Sequence, residues 1–297
     1  MYSSFEELNG KISKVKKTLI VAAANDSHTL EAVFTAAREF NIRYMMVGNR
    51  EKIMSISSKL SESPDPDSII DGRDDVDCAR RAVALVRDGC GDVLMKGNLD
   101  TGTLLKAVLH KETGIRDSST LSHLAVLETT AYHKLIGITD GGMVPNPTVE
   151  QKAEIVRNAA GFFRSIGYRR PLIAALCASE KRSRKMQETV DAAELQVMCQ
   201  KGELGDCLLE GPLSFDIAVS RESASVKGFT SEVSGEADIL LVPNITVGNV
   251  LGKGLIYWAG AKMAGCILGA RAPIVLASRG AEAEEKLLSI MLCVLGG

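Results

Sequence analysis

The stretch Thr18-Leu19-Ile20-Val21-Ala22-Ala23-Ala24 runs into Asn25-Asp26-Ser27, and then into a segment with helical apolar spacing from about Thr29 to Phe40. A short apolar run closed by good N-cap residues and followed by a 3.6-residue period reads as a buried strand feeding a helix. Arg43–Val47 is a second apolar run, closed by Gly48-Asn49. This unit decides the fold class, because two parallel strands need a crossover helix between them.

The same alternation extends outward along the chain. Helical spacing is predicted over Val76–Arg87, Thr103–His110, Val149–Ser165, Ser183–Gln200, Gly248–Ala264 and Ala283–Val294. Strands are predicted at Asp92–Met95, Ser122–Glu128, Lys134–Thr139, Pro171–Cys177, Ala237–Val242, Cys266–Leu268 and Pro273–Ala277. The expected class is α/β, with mostly parallel sheets covered by helices on both faces. Ser61–Asp75, with Pro64, Pro66 and six acidic residues, reads as a solvated loop within this alternation.

Composition narrows the function. The chain has 297 residues, about two domains' worth, and is 45% hydrophobic and 24% charged, as in soluble globular proteins. A net charge of -2 argues against nucleic-acid binding through bulk charge. No apolar run reaches the roughly 20 residues of a membrane helix. Met1–Lys17 carries no signal-peptide core, so a cytoplasmic location and no membrane partner are expected. The seven cysteines include no CxxC pair and read as buried free thiols. The four histidines form no HExxH motif, and no metal site is expected. His123 sits in the apolar stretch Leu121–Leu127, where a satisfied core imidazole is the default reading.

Ligands of open α/β sheets bind at the carboxyl ends of strands. Polar strand ends occur at Lys96-Gly97-Asn98, Thr139-Asp140-Gly141-Gly142, Val242-Pro243-Asn244 and Ser278-Arg279-Gly280. At the last, Ser and Gly amides before a helix suit an anion, and Arg279 adds a planar fork for phosphate. An ordinary cap with a solvated arginine fits the same residues, and the local pattern favours the cap. Glu282, Glu284 and Glu285 suit the positive end of the following helix, and one of them is also placed to accept a proton. Gly141-Gly142 permits close backbone approach to a ligand, though a plain tight turn is the commoner case. Asn244–Gly254 joins a strand end to a Gly-rich helix start, and phosphate contact and small-residue packing suit it equally. Walker and GxGxxG loops are absent.

Taken in order, the segments carry a resemblance that no one of them carries alone. They are Leu94-Met95-Lys96-Gly97, Lys106-Ala107-Val108-Leu109, Leu121-Ser122-His123, Ile138-Thr139-Asp140 and Asn146-Pro147-Thr148-Val149-Glu150-Gln151. They continue through Gly211-Pro212-Leu213-Ser214-Phe215-Asp216, Leu240-Leu241-Val242-Pro243-Asn244, Gly248-Asn249 and Ala272–Arg279. The set resembles the phosphate acetyltransferase and phosphate butyryltransferase family, with the first three segments closest to the butyryltransferase branch.

The resemblance implies exchange between a short-chain acyl-CoA plus phosphate and an acyl phosphate plus CoA, the acyl group being butyryl or a branched equivalent. It implies a two-domain α/β/α architecture like that of isocitrate and isopropylmalate dehydrogenases. Residues 1–145 with 273–297 would form one domain and 146–272 the other, with the active site in the cleft between them. Coenzyme A is then a substrate, no cofactor is permanently bound, and a homodimer or larger homo-oligomer is expected.

The family's Ser-Arg pair falls on Ser278 and Arg279. Its catalytic Asp falls near Glu284 or Glu285, and spacing favours Glu285. The substrate-binding positions implied are Lys96, Gly97, Thr101 and Lys106 in the first half. Asp140, Asn146, Asn244, Gly248, Asn249 and Lys253 follow in the second. Lys106 stands where the family carries an Arg, and Asp100 stands where a His is common before Thr101. A metal- and NAD-dependent decarboxylating dehydrogenase on the same fold is the alternative, but the Asp and Arg clusters it needs are not visible in the loops. A non-catalytic CoA-binding relative is a third reading.

Overall fold

The computed structural model describes residues 1–12, 16–276 and 283–297. The chain divides into two compact units, Glu6–Asp117 with Ala264–Gly297, and Met1–Phe5 with Ser118–Met263.

In the unit built on Glu6–Asp117, the opening strand is β1 (Thr18–Ala22), every residue of which is buried. It pairs in parallel with β2 (Arg43–Gly48) on one side and β4 (Val93–Lys96) on the other. β3 (Ile69–Asp71) extends the edge beside β2, and β11 (Ile274–Val275) lies parallel to β4. β10 (Lys262–Leu268) closes this order, antiparallel to β11 through Cys266 and Ile267. Burying Leu19, Ile20 and Val21 in the central strand is worth about 1.5–3 kcal/mol each before chain entropy is subtracted.

The helices of this unit are α1 (Phe5–Ile12), α2 (Ser27–Phe40), α3 (Arg50–Lys59), α4 (Asp75–Arg87), α5 (Thr101–Val108) and α11 (Ala283–Gly296). α2 starts where the cap signal placed it: Asp26 Oδ1 accepts from the Thr29 amide at 2.9 Å. It stops at Asn41, which takes a left-handed φ of 51°. The acidic 61–75 stretch is not all loop, because Ile69 and Ile70 pair with Met46 and Val47 to make the edge strand.

The other unit holds β5 (Ser122–Glu128), β6 (Ile136–Thr139), β7 (Leu172–Leu176), β8 (Leu208–Leu213) and β9 (Ile239–Leu241), in the order β5-β6-β9-β7-β8. β5 and β6 are antiparallel, and the remaining pairs are parallel. Its helices are α6 (Val149–Ser165), α7 (Gln187–Gln200), α8 (Phe215–Val219), α9 (Arg221–Val226) and α10 (Ile245–Ala259). Sequence reasoning set the boundaries at 145/146 and 272/273; the hydrogen bonds of β6 with β9 tie the β5–β6 pair to the central segment instead.

Helix limits also differ from the periodicity reading, most at the start of α7 and the end of α10. α7 starts at Gln187 and not Ser183, because Thr189 Oγ1 bonds Ser183 N at 2.8 Å and Met186 O at 2.7 Å and holds 183–186 as a turn. α10 ends at Ala259, because Gly260 takes a left-handed φ of 62° and the chain turns into β10. Of the cysteines expected inside, Cys78, Cys207, Cys266 and Cys293 are buried, Cys177 and Cys199 are half-buried, and Cys90 is exposed.

Buried charge fixes this second unit internally. Lys134 Nζ lies 2.6 Å from Asp238 Oδ1 and donates to Glu236 O at 2.6 Å, while Asp238 Oδ2 accepts from the Leu172 amide at 2.8 Å. Both side chains are only 2% exposed, so neither can recruit bulk water if its partner is lost. Lys134→Met should therefore destabilise the protein by about 3–5 kcal/mol in urea melts. Lys134→Met with Asp238→Asn should recover much of that loss. A single variant within about 1 kcal/mol of the parent would show that water reaches the site.

Candidate active site

The polar strand ends divide between the two units. At the end of β6, the Thr139–Asp140 peptide is cis and Asp140 is buried. Its Oδ1 accepts from the amides of Gly142 at 2.8 Å and Met143 at 2.9 Å, and its Oδ2 from Val144 at 3.1 Å. Both carboxylate oxygens are thus occupied in closing the turn 140–144. Asp140 shapes this strand end through the backbone.

The turn packs directly on the start of α10. A Cβ at Gly248 would lie 2.7 Å from Gly141 Cα, and one at Gly141 would lie 3.1 Å from the Gly248 carbonyl carbon. The glycines allow backbone to approach backbone, so the close approach that sequence reasoning reserved for a ligand is made at Gly141 by the protein's own α10. Asn244 caps α10, its Oδ1 accepting from the Val247 amide at 3.1 Å, and the Ile245 amide donates to Pro145 O at 3.1 Å. The helix start is therefore largely satisfied by the protein itself, which weakens the case for it as a bare anion site. Asn249 and Lys253 are exposed and one helical turn apart, so they share a face of α10. Asn146 is exposed as well, beside buried Pro147 and the Thr148–Gln151 capping box that starts α6.

His123 belongs to this strand end, because β5 runs antiparallel to β6 and its first residues lie beside Thr139. Thr139 Oγ1 donates to His123 O at 2.9 Å. The ring lies against Gly142, where a Cβ would come 3.0 Å from His123 Cγ. His123 Nδ1 is buried without a hydrogen-bond partner, although the residue as a whole keeps part of its surface open. Burial lowers its pKa, against a smaller opposing effect of the Asp140 charge. The default reading of a satisfied core imidazole does not hold, and a lone His in an apolar run carries no signal that could have shown it.

In the other unit, Lys96 Nζ donates to Leu99 O at 3.0 Å and Gly97 O at 3.3 Å, so it braces its own loop. Gly97 is required there: a Cβ would lie 2.4 Å from Ala23 O. Asp100 is the N-cap of α5, accepting from the Thr103 amide at 3.1 Å. Thr101 is half-buried at the first position of that helix, and Lys106 is exposed in its last turn, a favourable place for a cation.

Ser278, Arg279 and Glu282 lie outside the described residues. Glu284 is exposed and Glu285 half-buried in the first turn of α11. That turn is anchored by Ser289, whose Oγ donates to Glu285 O at 2.7 Å and accepts from the Gly265 amide at 2.9 Å. Among the described residues, no group of three or more His, Cys, Asp or Glu is placed to hold a metal ion.

The contact of Gly141 with Gly248 makes a direct test. Gly248→Ala should displace the start of α10 from the Asp140 turn and cost about 1–3 kcal/mol in stability, as overpacking does. Thermal melts check the cost, and an unchanged melting temperature would mean that the helix start moves freely.

The profile of the family described as phosphate acetyl/butaryl transferase matches residues 72–294. The phosphate butyryltransferase of Clostridium acetobutylicum is 40% identical over 296 residues, 99% of this chain and 98% of that protein. The phosphate acetyltransferase of Thermotoga maritima is 38% identical over 93% of this chain and 94% of its own. Among solved structures, a branched-chain phosphotransacylase from Enterococcus faecalis V583 superposes with a TM-score of 0.82 at 32% identity, covering 94% of this chain and 98% of that one. Matched over most of its length by the family profile and over nearly all of it by these proteins, the chain belongs to the phosphate acetyl/butyryl transferase family, and it is a phosphate acyltransferase.

Proposed function

We propose that the chain interconverts a four- or five-carbon acyl-CoA plus phosphate with the acyl phosphate plus CoA. The observation that carries this reading is the near-full-length likeness to a phosphate butyryltransferase, with a branched-chain phosphotransacylase among the solved structures it resembles. In this reading Arg279 grips the phosphate oxygens through its planar fork, and Ser278 donates to the phosphate or the developing oxyanion. Glu285, or its neighbour Glu284, accepts the thiol proton as the CoA sulfur attacks the carbonyl carbon of the acyl phosphate. The carbon–sulfur bond forms, the carbon–oxygen bond to phosphate breaks, and phosphate leaves. Holding both substrates together supplies much of the acceleration, and no acyl-enzyme is needed.

The substrate-binding positions divide by what their side chains are free to do. Asp140, Gly97, Gly248 and Asn244 shape turns and helix starts, and Lys96 braces its loop. Asn146, Asn249, Lys253, Thr101 and Lys106 keep surface with which to touch a ligand. The reading includes a homodimer or larger homo-oligomer. On α10, Val250, Tyr257 and Trp258 fall on one stripe and are 65%, 81% and 92% exposed. The two aromatics bury on the order of 150–250 Å² each when covered, a substantial part of the roughly 800 Å² per partner of a stable interface.

Purified protein should release CoA from butyryl-CoA only when phosphate is present. A thiol reagent follows the release against an enzyme blank, since Cys90 is exposed. Release without phosphate would indicate a thioesterase, and hydroxy-acid-dependent NAD reduction with a divalent metal would indicate the dehydrogenase alternative. Arg279→Ala should lower kcat by about 10²–10³-fold and raise the phosphate KM, with Arg279→Lys recovering only part. Near-normal turnover in Arg279→Ala would reject the phosphate grip.

Four- and five-carbon acyl-CoAs should give higher kcat/KM than acetyl-CoA, at roughly 1–3 kcal/mol per methylene in an apolar pocket. A clear preference for acetyl-CoA would overturn the acyl assignment and leave the reaction class intact.

A further inference from the structure

We propose that the loop carrying Lys181, Arg182, Arg184 and Lys185 binds the phosphates at the nucleotide end of the acyl-CoA, beside the crevice where β7 and β9 end; the proposal rests on the reading given above. β7 and β9 lie side by side, with Ala174 opposite Leu240 and Ala175 opposite Leu241. The chain leaves them toward opposite faces of the sheet. β7 leads to α7, which packs with α6 on the face that carries Ala175 and Leu241. β9 leads to α10, whose Leu251, Leu255 and Ile256 pack against a cluster that contains Ala174, Leu240 and the α8 residues Ile217 and Ala218. Neighbouring parallel strands whose connections part in this way open a crevice at their carboxyl ends, where open α/β sheets take their ligands. Leu176, Leu241, Val242 and Pro243 line this one, with Lys152 of α6 and Glu188 of α7.

The connection from that crevice to α7, residues 177–186, concentrates positive charge. Its four basic side chains fall within five positions and are exposed. Among the described residues, none of the four has an ion pair or a side-chain hydrogen bond. The acid of this connection, Glu180, is already answered: it accepts from Ser214 Oγ at 2.5 Å and from Lys227 Nζ at 3.2 Å. Other cations of this unit sit beside carboxylates, Arg157 at Glu154, Arg221 at Glu236 and Lys227 at Asp216. Like charges held this close repel one another, and a bound anion removes that cost. The backbone fixes where they stand. The Lys181 amide donates to Ser179 Oγ at 3.2 Å, the Lys185 amide to Ser183 Oγ at 3.3 Å, and the Ser183 amide to Thr189 Oγ1 at 2.8 Å.

The charge selects the ligand. The nucleotide end of an acyl-CoA carries a ribose phosphomonoester and a diphosphate, together roughly four negative charges at neutral pH. Two guanidiniums offer planar forks to phosphate oxygens, and two ammoniums offer point charges. Orthophosphate, the other anionic substrate, carries only about 1.5–2 charges and does not need so wide an array. The nucleotide end does not react, so a grip on it is equally strong in the ground state and the transition state. Such a grip lowers the acyl-CoA KM and leaves kcat alone.

A variant combining Lys181→Gln, Arg182→Gln, Arg184→Gln and Lys185→Gln tests this, with thermal melts to confirm that these exposed changes leave the fold intact. The butyryl-CoA KM should rise by about 10–100-fold, while kcat and the phosphate KM stay within about twofold. S-butyryl-pantetheine has the thioester without the nucleotide, and parent and variant should turn it over alike. A control with glutamine at the exposed Lys52, Lys59, Lys111 and Lys201 should keep the butyryl-CoA KM within about twofold of the parent. Calorimetric titration with adenosine 3′,5′-bisphosphate reads the loop without turnover, and the loop variant should bind it at least about tenfold more weakly than the parent. Four results would each overturn the proposal: a butyryl-CoA KM within about threefold of the parent, an equal loss with S-butyryl-pantetheine, a raised phosphate KM as the main effect, or an equal loss in the control. If the parent shows no phosphate-dependent CoA release, the proposed function fails, and the titration still decides whether the loop holds nucleotide phosphates. If the parent is active and the loop variant keeps its butyryl-CoA KM, only the role of the loop fails.

Discussion

The contact on which this site depends is between two backbones. Gly141 and Gly248 approach so closely that a single methyl group on Gly248 would lie 2.7 Å from the facing Cα. That approach holds the end of β6 and the start of α10 as one piece. Asp140 makes the turn stiff enough to be approached, by drawing three successive amides onto one carboxylate. Asn244 and Pro145 then satisfy the helix amides that the turn faces. Each of these residues acts on backbone, and together they leave the exposed side chains of Asn146, Asn249 and Lys253 on a rigid support.

This distinction separates what was legible in the sequence from what was not. β1, α2 and β2 were readable because local signals agree there: an unbroken apolar run, Asp26 as cap and a short link to Arg43. The short edge strand β3 was not, because two isoleucines among acidic residues pair only once β2 is beside them. The strand ends were visible as Gly-bearing polar clusters, yet their chemistry was hidden. Asp140 in a sequence is a carboxylate that can bind a ligand or close a turn. Only the positions of the Gly142, Met143 and Val144 amides decide between them. His123 was harder still, since whether a nitrogen has a partner is a property of three-dimensional neighbours alone.

The buried charges of the same unit follow the opposite logic from the site. Lys134 with Asp238, and Lys152 with Asp191 at 2.7 Å, are fully matched, the second supported by Gln187 on the other carboxylate oxygen. Such pairs contribute little net stability but penalise every arrangement that separates them. They therefore specify how β5–β6, β7 and the α6–α7 layer fit together. A polar group left unmatched in a unit so thoroughly paired is the exception, and functional sites are where such exceptions are expected.

The two departures from the family pattern can be judged on the same grounds. Asp100 stands where the family resemblance implies a His, and one oxygen of its carboxylate caps α5 by accepting from the Thr103 amide. Imidazole is a poor N-cap, and a short carboxylate is a good one, so the substitution improves the helix start at Thr101. Lys106 stands where the resemblance implies an arginine, and it sits in the last turn of that helix, where a cation is favoured whatever its head group. Neither change removes a group that the rest of the structure leans on. What lysine does lose is the bidentate fork, so in the proposed reading any weakening falls on the grip of phosphate, while the fold of this segment needs only the cation.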